Sequence, residues 1–381
     1  MTTKRFQIAI IVETINVYGY GIIRGICNAL SEYPVCTIFY EERTLDSSPP
    51  SWLHHWKGDG IIVRDRSGKS CKIALKTSAK IVDLSERRHP GIPTIVSDHT
   101  ACSQLAVGHL KERGFEHFAF VGIKDRPFSE KRRNAFLKEV GECPVFDLPN
   151  DEKAFSSWGT DHTKLIKWLK SLPKPAGIMA CYDLVGVRIL QSCNLAEISV
   201  PESIAVIGVN NDELQCTMTN PPMSSVLQNQ ERIGYEAFAL LYRLMQGETP
   251  PLEPLMIPPV KVISRRSTDI LVISDKLVIK AIQLIREYAC EGIAITDIAS
   301  QVGVSRRTLE RRFFKSVGKT PHDEIVSSQI KLSCDLLVET RLTLESITKR
   351  IGFHSVSHFT SLFERMMNMP PNEYRKKHRM L

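Results

Sequence analysis

"ITDIASQVGVSRRTLERRFFKSVG", residues 295–318, decides how the last third of this chain folds. Ile298, Ala299 and Val302 fall on one face of a short helix that Thr296 is expected to cap and Gly303 to end. Ser305 opens a second helix, with Leu309, Phe313 and Phe314 expected to turn inward. A helix, a tight glycine turn and a second helix with a polar first turn make the helix-turn-helix pattern. Four arginines, Arg306, Arg307, Arg311 and Arg312, crowd into the second helix. Alone, such a cluster suits a solvated face as well as an acidic partner. Inside this pattern the acidic partner is the better reading.

The pattern then recurs. In "TLESITKRIGFHSVSHFTSLFERMM" (343–367), Ile347 and Ile351 face inward, Gly352 turns the chain and Ser355 opens a helix carrying Phe359 and Phe363. Between the two units, Thr320-Pro321 reads as a cap followed by proline at the first helical position. Ile325, Leu332 and Leu336 form one apolar stripe, so a single helix is expected to join the units. The charge agrees. The chain carries +8 over 381 residues, and Ile270 to Leu381 alone holds 18 Lys/Arg against 12 Asp/Glu. A basic terminal module on a nearly neutral body predicts a polyanion, nucleic acid first.

Upstream the pattern changes. "FQIAIIV" (6–12), "CTIFY" (36–40), "GIIV" (60–63), "KIVDL" (80–84), "TIVSD" (94–98), "HFAFVG" (117–122), "AGIMACYD" (176–183) and "IAVIGVNND" (204–212) are short apolar runs. Amphipathic stretches follow many of them, the strongest being "NQERIGYEAFALLYRLMQG" (229–247). Apolar strands alternating with helices predict a parallel sheet covered on both faces, here in two lobes. Ligands of such sheets bind beyond the carboxyl ends of the strands. The polar residues just past those ends are Glu13, Glu41 or Glu42, Asp98, Arg132, Asp183 and Asn210. The expected architecture is an α/β two-lobed domain over residues 1–266, a linker at 267–275 and an all-α domain with two helix-turn-helix units at 276–381.

Several function classes drop out. "RDRSGKS" (64–70) lacks the glycine at position 63 that a phosphate-binding loop needs. His354 and His358 in "HSVSH" have a metal-pair spacing but no third ligand nearby, so no metal and no cofactor are expected. No catalytic serine signature occurs, and an enzyme is not expected. The ten cysteines are scattered without a CxxC pair, which suits reduced thiols in a cytoplasmic protein. The amino-terminal apolar run reads as a first strand rather than a signal peptide. No stretch approaches the ~20 apolar residues of a membrane span.

"VSDHTACSQLAVGHLKERGFEHFAFVG", "IAVIGVNNDE", "SSVLQNQERIGYEAFALLYRLM" and the closing "RRST" resemble the effector domain of LacI/GalR-type regulators, which is built like a periplasmic sugar-binding protein. The resemblance spans residues 6–268 and lacks that family's usual amino-terminal DNA-binding headpiece. It implies that Arg132 clasps a sugar, that Asp183 stands where the family keeps an Asn-Asp pair, and that Gln228 reaches the cleft. Asn210 departs from the family's aspartate. An amide donates as well as accepts, so hydroxyl recognition is reshaped there.

"ITKRIGFHSVSHFTSLFERMMNMPPNEYRK" resembles the AraC/XylS family over residues 272–379. That family sets its two recognition helices in successive major-groove segments, about 34 Å apart. The resemblance implies Arg307, Glu310 and Arg311 as base readers in the first unit, where an arginine takes guanine O6 and N7 together. Arg306 and Arg312 become phosphate clamps. In the second unit the reading positions are Ser357, Thr360 and Ser361, with His354 at the helix start. These are weak readers, and shape is expected to matter more there. Lys349, Arg350 and Lys376 would hold the backbone. Together the two resemblances imply a ligand-responsive transcription factor on operator DNA. It would be a homodimer and an activator working with RNA polymerase, with xylose or a related pentose as effector. The linker 267–275 would carry the signal.

Overall fold

The computed structural model describes residues 5–33, 36–44, 47–65, 67–87, 89–150, 162–251, 253–270 and 275–378. The first lobe contains β1 (Phe6–Ile11), α1 (Val17–Glu32), β2 (Cys36–Tyr40), β3 (Gly60–Val63), α2 (Lys69–Ala74) and β4 (Lys80–Asp83). Its strands form a parallel sheet in the order β2-β1-β3-β4. "RDRSGKS" supplies the start of α2, where the Asp65 carboxylate accepts from the N–H groups of Gly68 and Ser70. β5 (Ile95–Ser97) then leads across to α3 (His99–Lys111) and the second lobe.

That lobe holds β6 (His117–Ile123), α4 (Pro127–Val140), β7 (Val145–Leu148), α5 (Thr163–Ser171), β8 (Ala176–Ala180), α6 (Asp183–Leu195), β9 (Ile204–Val209), α7 (Glu213–Met218) and β10 (Ser224–Leu227). The chain recrosses at Gln228–Asn229 to α8 (Gln230–Met245), whose Ile233, Ala237, Phe238 and Leu241 share a core with Ile22 and Ile26 of α1. β11 (Leu255–Ile257) pairs in parallel with β5, and the chain crosses a third time to β12 (Lys261–Ile263). β12 is the antiparallel edge of a six-stranded sheet, β12-β10-β9-β8-β6-β7. The two-lobed, mainly parallel architecture matches the expectation, because strands apolar along their whole length need cover on both faces.

The edge of this domain needs one correction. Ser267 and Thr268 are fully buried, not linker. Thr268 takes a hydrogen bond on its carbonyl from Arg113 Nε at 2.7 Å and shares one through its hydroxyl with His109 Nε2 at 2.8 Å. Ser267 Oγ donates to the Val206 carbonyl at 2.6 Å. The "RRST" hydroxyls thus close the second lobe. The middle of the expected linker, 271–274, lies outside the described residues.

The remainder is helical: α9 (Lys276–Tyr288), α10 (Ile295–Gln301), α11 (Arg306–Val317), α12 (Pro321–Glu339), α13 (Leu344–Arg350), α14 (Val356–Met367) and α15 (Pro371–His378). Ser305, Thr320 and Ser355 cap as expected, Thr320 in a capping box with Asp323. Thr296 does not cap. α10 starts one residue before it, and Asp297 reaches back to the N–H of Ala294 at 3.4 Å. Phe314 is 57% exposed, not inward. One residue past Phe313 on a helix turns the side chain about 100° away from the core. Ile325 packs toward the first unit, and Leu332 and Leu336 toward the second, so α12 joins the two cores. Its deepest apolar residues, however, are Ile330, Leu337 and Val338.

Candidate functional site

A cavity of about 610 Å³ opens between the lobes. The first lobe lines it with Glu13, Tyr18, Arg64 and Glu86, the second with His99, Arg126, Phe128, Arg132, Tyr182, Asp183, Asn210, Asp212 and Gln215. Glu13 is 1% exposed and pairs with Arg64, whose guanidinium lies over the Tyr18 ring at 4.5 Å. Tyr18 in turn bonds Ser97 through its hydroxyl at 2.8 Å.

Arg132 is buried near the middle of α4. Its Nε donates to His99 Nδ1 at 3.2 Å, and its Nη1 donates to the Cys181 carbonyl. That contact fixes the histidine tautomer. Nδ1 accepts, so Nε2 carries the proton and donates to Glu86 at 2.9 Å. Burial holds His99 below the usual histidine range, consistent with a neutral ring. Burial pushes Glu86 upward, but the His99 bond, with His99 and Lys131 nearby, brings it down to about 2. With His99 neutral, the compensating charge is Lys131, 2.5 Å from Glu86. Glu86 follows a first-lobe strand, whereas His99 begins α3 and Lys131 lies on α4 of the second lobe, so this cluster bridges the lobes beside the cavity.

Asp183, 1% exposed, does not cap its helix. It accepts from Ser225 Oγ at 2.5 Å and from the Asp212 N–H at 2.7 Å. Burial pushes its carboxyl up to about 7 despite those donors. Asn210 sits at φ +109°, with its neighbour Asn211 at φ +52°. Among the described residues, three buried acceptors of lining side chains have no hydrogen-bond partner: Glu13 Oε2, Asn210 Oδ1 and Gln215 Oε1.

The structure thus brings together Glu13, Arg132, Asp183 and Asn210. It leaves out two residues expected with them. Asp98 is spent as the cap of α3, accepting from Ala101 N–H at 2.9 Å, because it directly precedes that helix. Gln228 is buried at the lobe crossing, donates to Cys102 Sγ at 3.2 Å and does not line the cavity. Glu41 lies on another depression with Trp52 and Trp56. Arg64, Glu86 and Tyr182 went unnoticed, although each follows a strand and the strand-end rule could have found them.

On the helical domain, Arg307 and Arg311 are exposed one turn apart, and among the described residues neither pairs with a carboxylate. Arg306 and Glu310 pair at 2.8 Å across one turn, so Glu310, expected as a base reader, is held by Arg306. Arg312 departs from its expected role. Its Nε and Nη2 hold both oxygens of Asp275, at 2.6 and 2.7 Å, and Asp275 caps α9. In the second unit Ser357 and Ser361 are exposed and Thr360 is half-buried. His354 precedes the cap Ser355, so it and His358 are not a turn apart on one helix. Lys349 and Arg350 are exposed at the end of α13. Lys376 is exposed too, but its carbonyl accepts from Arg232 of the two-lobed domain at 3.0 Å. Three potential metal donors, Cys71, Asp83 and His89, lie within 4.8 Å of one another. There Asp83 is already met by Ser85 and by His89 at 2.9 Å.

A clamshell cavity joined to paired helix-turn-helix units defines a DNA-binding regulator with an effector domain. Residues 107–268 match the periplasmic binding protein-like domain, and residues 298–377 a helix-turn-helix domain. The xylose operon regulatory protein of Escherichia coli K12 is 34% identical over 98% of each chain, and that of Haemophilus influenzae 32% over 98% of this chain and 99% of the relative. A solved structure described as the xylose-binding transcription activator XylR is 32% identical, covers both chains completely and superposes with a TM-score of 0.62. A ribose-bound LacI family regulator from Enterococcus faecalis shares the fold of 68% of this chain at 19% identity, with a TM-score of 0.55. The chain belongs to the xylose operon regulatory protein family. Among the described residues no helix is long and apolar enough to cross a membrane.

Proposed function

We propose that this regulator senses a pentose, D-xylose or a close relative, and activates transcription of a sugar catabolic operon as a homodimer acting with RNA polymerase. One observation carries the effector reading: Glu13, Asn210 and Gln215, each with a buried side-chain oxygen that has no hydrogen-bond partner, all line the cavity between the two lobes. A polyhydroxyl ligand supplies one donor per hydroxyl and fits such acceptors. Arg132, across the cleft from Glu13 and on the same lobe as Asn210 and Gln215, supplies donors, and Phe128 and Tyr182 offer apolar ring surface to the sugar's C–H face. Asp183 braces the floor through Ser225 and Asp212. The relatives' names, which refer to xylose, support the same ligand.

On DNA, Arg307 and Arg311 read bases. Arg306, Lys349 and Arg350 meet phosphates, and Ser357, Thr360 and Ser361 add weaker contacts. Titration calorimetry of the full chain against a pentose panel, followed by operator gel shifts with the best ligand, tests both halves. D-xylose binding that shifts operator affinity about 5- to 150-fold is the expected result. Saturating heat from a purine or another non-sugar, with none from any pentose, overturns it.

A further inference from the structure

Two segments cross between the lobes near the helical domain: Gln228–Asn229, and residues 258–260 between β11 and β12. When the lobes change their relative placement these segments must bend, because each is anchored at one end in each lobe. Both also touch the second helix-turn-helix unit. Asn229 Nδ2 donates to the His378 carbonyl at 3.4 Å, and His378 Nδ1 donates to the Pro259 carbonyl at 3.3 Å. The His378 ring stacks on Tyr374, centroids 4.2 Å apart. Val260 is only 4% exposed and belongs to the core formed by Ile330, Leu337, Phe363 and Tyr374. Lys261 faces Asp335 at 3.7 Å. On the cavity side, the next residue after Asn229, Gln230, donates to the carbonyl of the cavity residue Asn210 at 3.4 Å.

We infer that the interlobe hinge of the effector domain is the docking surface of the second helix-turn-helix unit, and that effector binding reaches the DNA through this surface. A hinge residue buried in another domain's core cannot move without dragging or releasing that core, since packed interiors switch between arrangements rather than stretch. The second unit is therefore positioned by the state of the hinge, whereas its own reading residues carry little charge. The signal-carrying half of the inference rests on the cavity binding a sugar; the docking half does not.

The test uses the full chain carrying Val260→Asp, which places a carboxylate in the docked core without touching the cavity. Hydrogen exchange without ligand reports docking. Faster exchange across residues 371–378 is expected, and unchanged protection overturns the inference. Operator affinity with and without D-xylose reports the signal. The wild-type response is expected to fall to nearly one-fold in Val260→Asp, with D-xylose affinity retained, and an undiminished response overturns the inference. A wild-type chain indifferent to D-xylose would instead sink the sugar reading, while the exchange result still decides the docking surface. If Val260→Asp does not fold, Lys261→Glu is expected to weaken the response and Asp335→Lys to restore it in the double variant. Absence of either effect overturns the inference.

Discussion

The two helix-turn-helix units share a scaffold and differ in almost everything laid on it. Ser305 and Ser355 cap equivalent helices, and Leu309 and Phe313 occupy the places of Phe359 and Phe363. Yet the first unit presents Arg307 and Arg311 to solvent where the second presents Ser357 and Ser361. The turns differ as well. Gly352 to Ser355 is one residue longer than Gly303 to Ser305, and His354 stands in the extension. The cores differ in reach: that of the first unit is drawn from residues 277–325, whereas that of the second includes Leu227 and Val260 of the effector domain. On the reading proposed above, the first unit carries the chemistry of base reading and the second the mechanical attachment. The two units thus share their packing and differ at their surfaces, since packing constrains buried positions and leaves exposed ones free.

The contrast breaks most sharply on DNA. Arg307→Ala with Arg311→Ala should weaken operator binding by ~2–6 kcal/mol, at ~1–3 kcal/mol per bidentate contact, and flatten sequence preference in a competition gel shift. D-xylose affinity should be unchanged. Replacing Ser357, Thr360 and Ser361 together by alanine should cost less than a tenth of that loss in affinity ratio. Equal losses from the arginine pair and from the second-unit triplet would erase the proposed division of labour.

Stability gives the next largest difference. Gly303 and Gly352 both have positive φ, 76° and 82°, where an added Cβ costs ~1–2 kcal/mol. At Gly303 nothing lies within 4 Å of that Cβ, but at Gly352 it would sit 2.8 Å from the Cys290 carbonyl oxygen. Gly352→Ala should therefore lower the melting temperature of the helical domain distinctly more than Gly303→Ala, as thermal circular dichroism would report. The smallest effect is expected from Arg312→Ala. Freed of its partner, Asp275 still caps α9, so melting should shift by a degree or two and operator preference should hold. A loss of operator affinity matching that of Arg311→Ala would restore Arg312 to the DNA surface.

Much of this was legible in the sequence because it is written in short-range signals. Caps, glycine turns and apolar periodicity act within a few residues, so the duplicated helical units and the alternating strands could be read directly. The strand-end rule found Glu13, Arg132, Asp183 and Asn210 for the same reason, and stopping that rule early missed Arg64 and Glu86. Asp98 was misassigned because capping and ligand binding ask for the same residue type at the same place.

Alone, the sequence determined the fold classes, the paired helix-turn-helix units and several of the polar residues that line the cleft. Tertiary structure alone decided that Arg312 is tied to Asp275, that Gln228 stops short of the cavity, and that Asn229 meets His378 across 149 residues of chain. The reason is physical: local propensities are set by neighbours along the chain, but a polar side chain's partner is chosen by which surfaces packing brings together, and no periodicity encodes that distance.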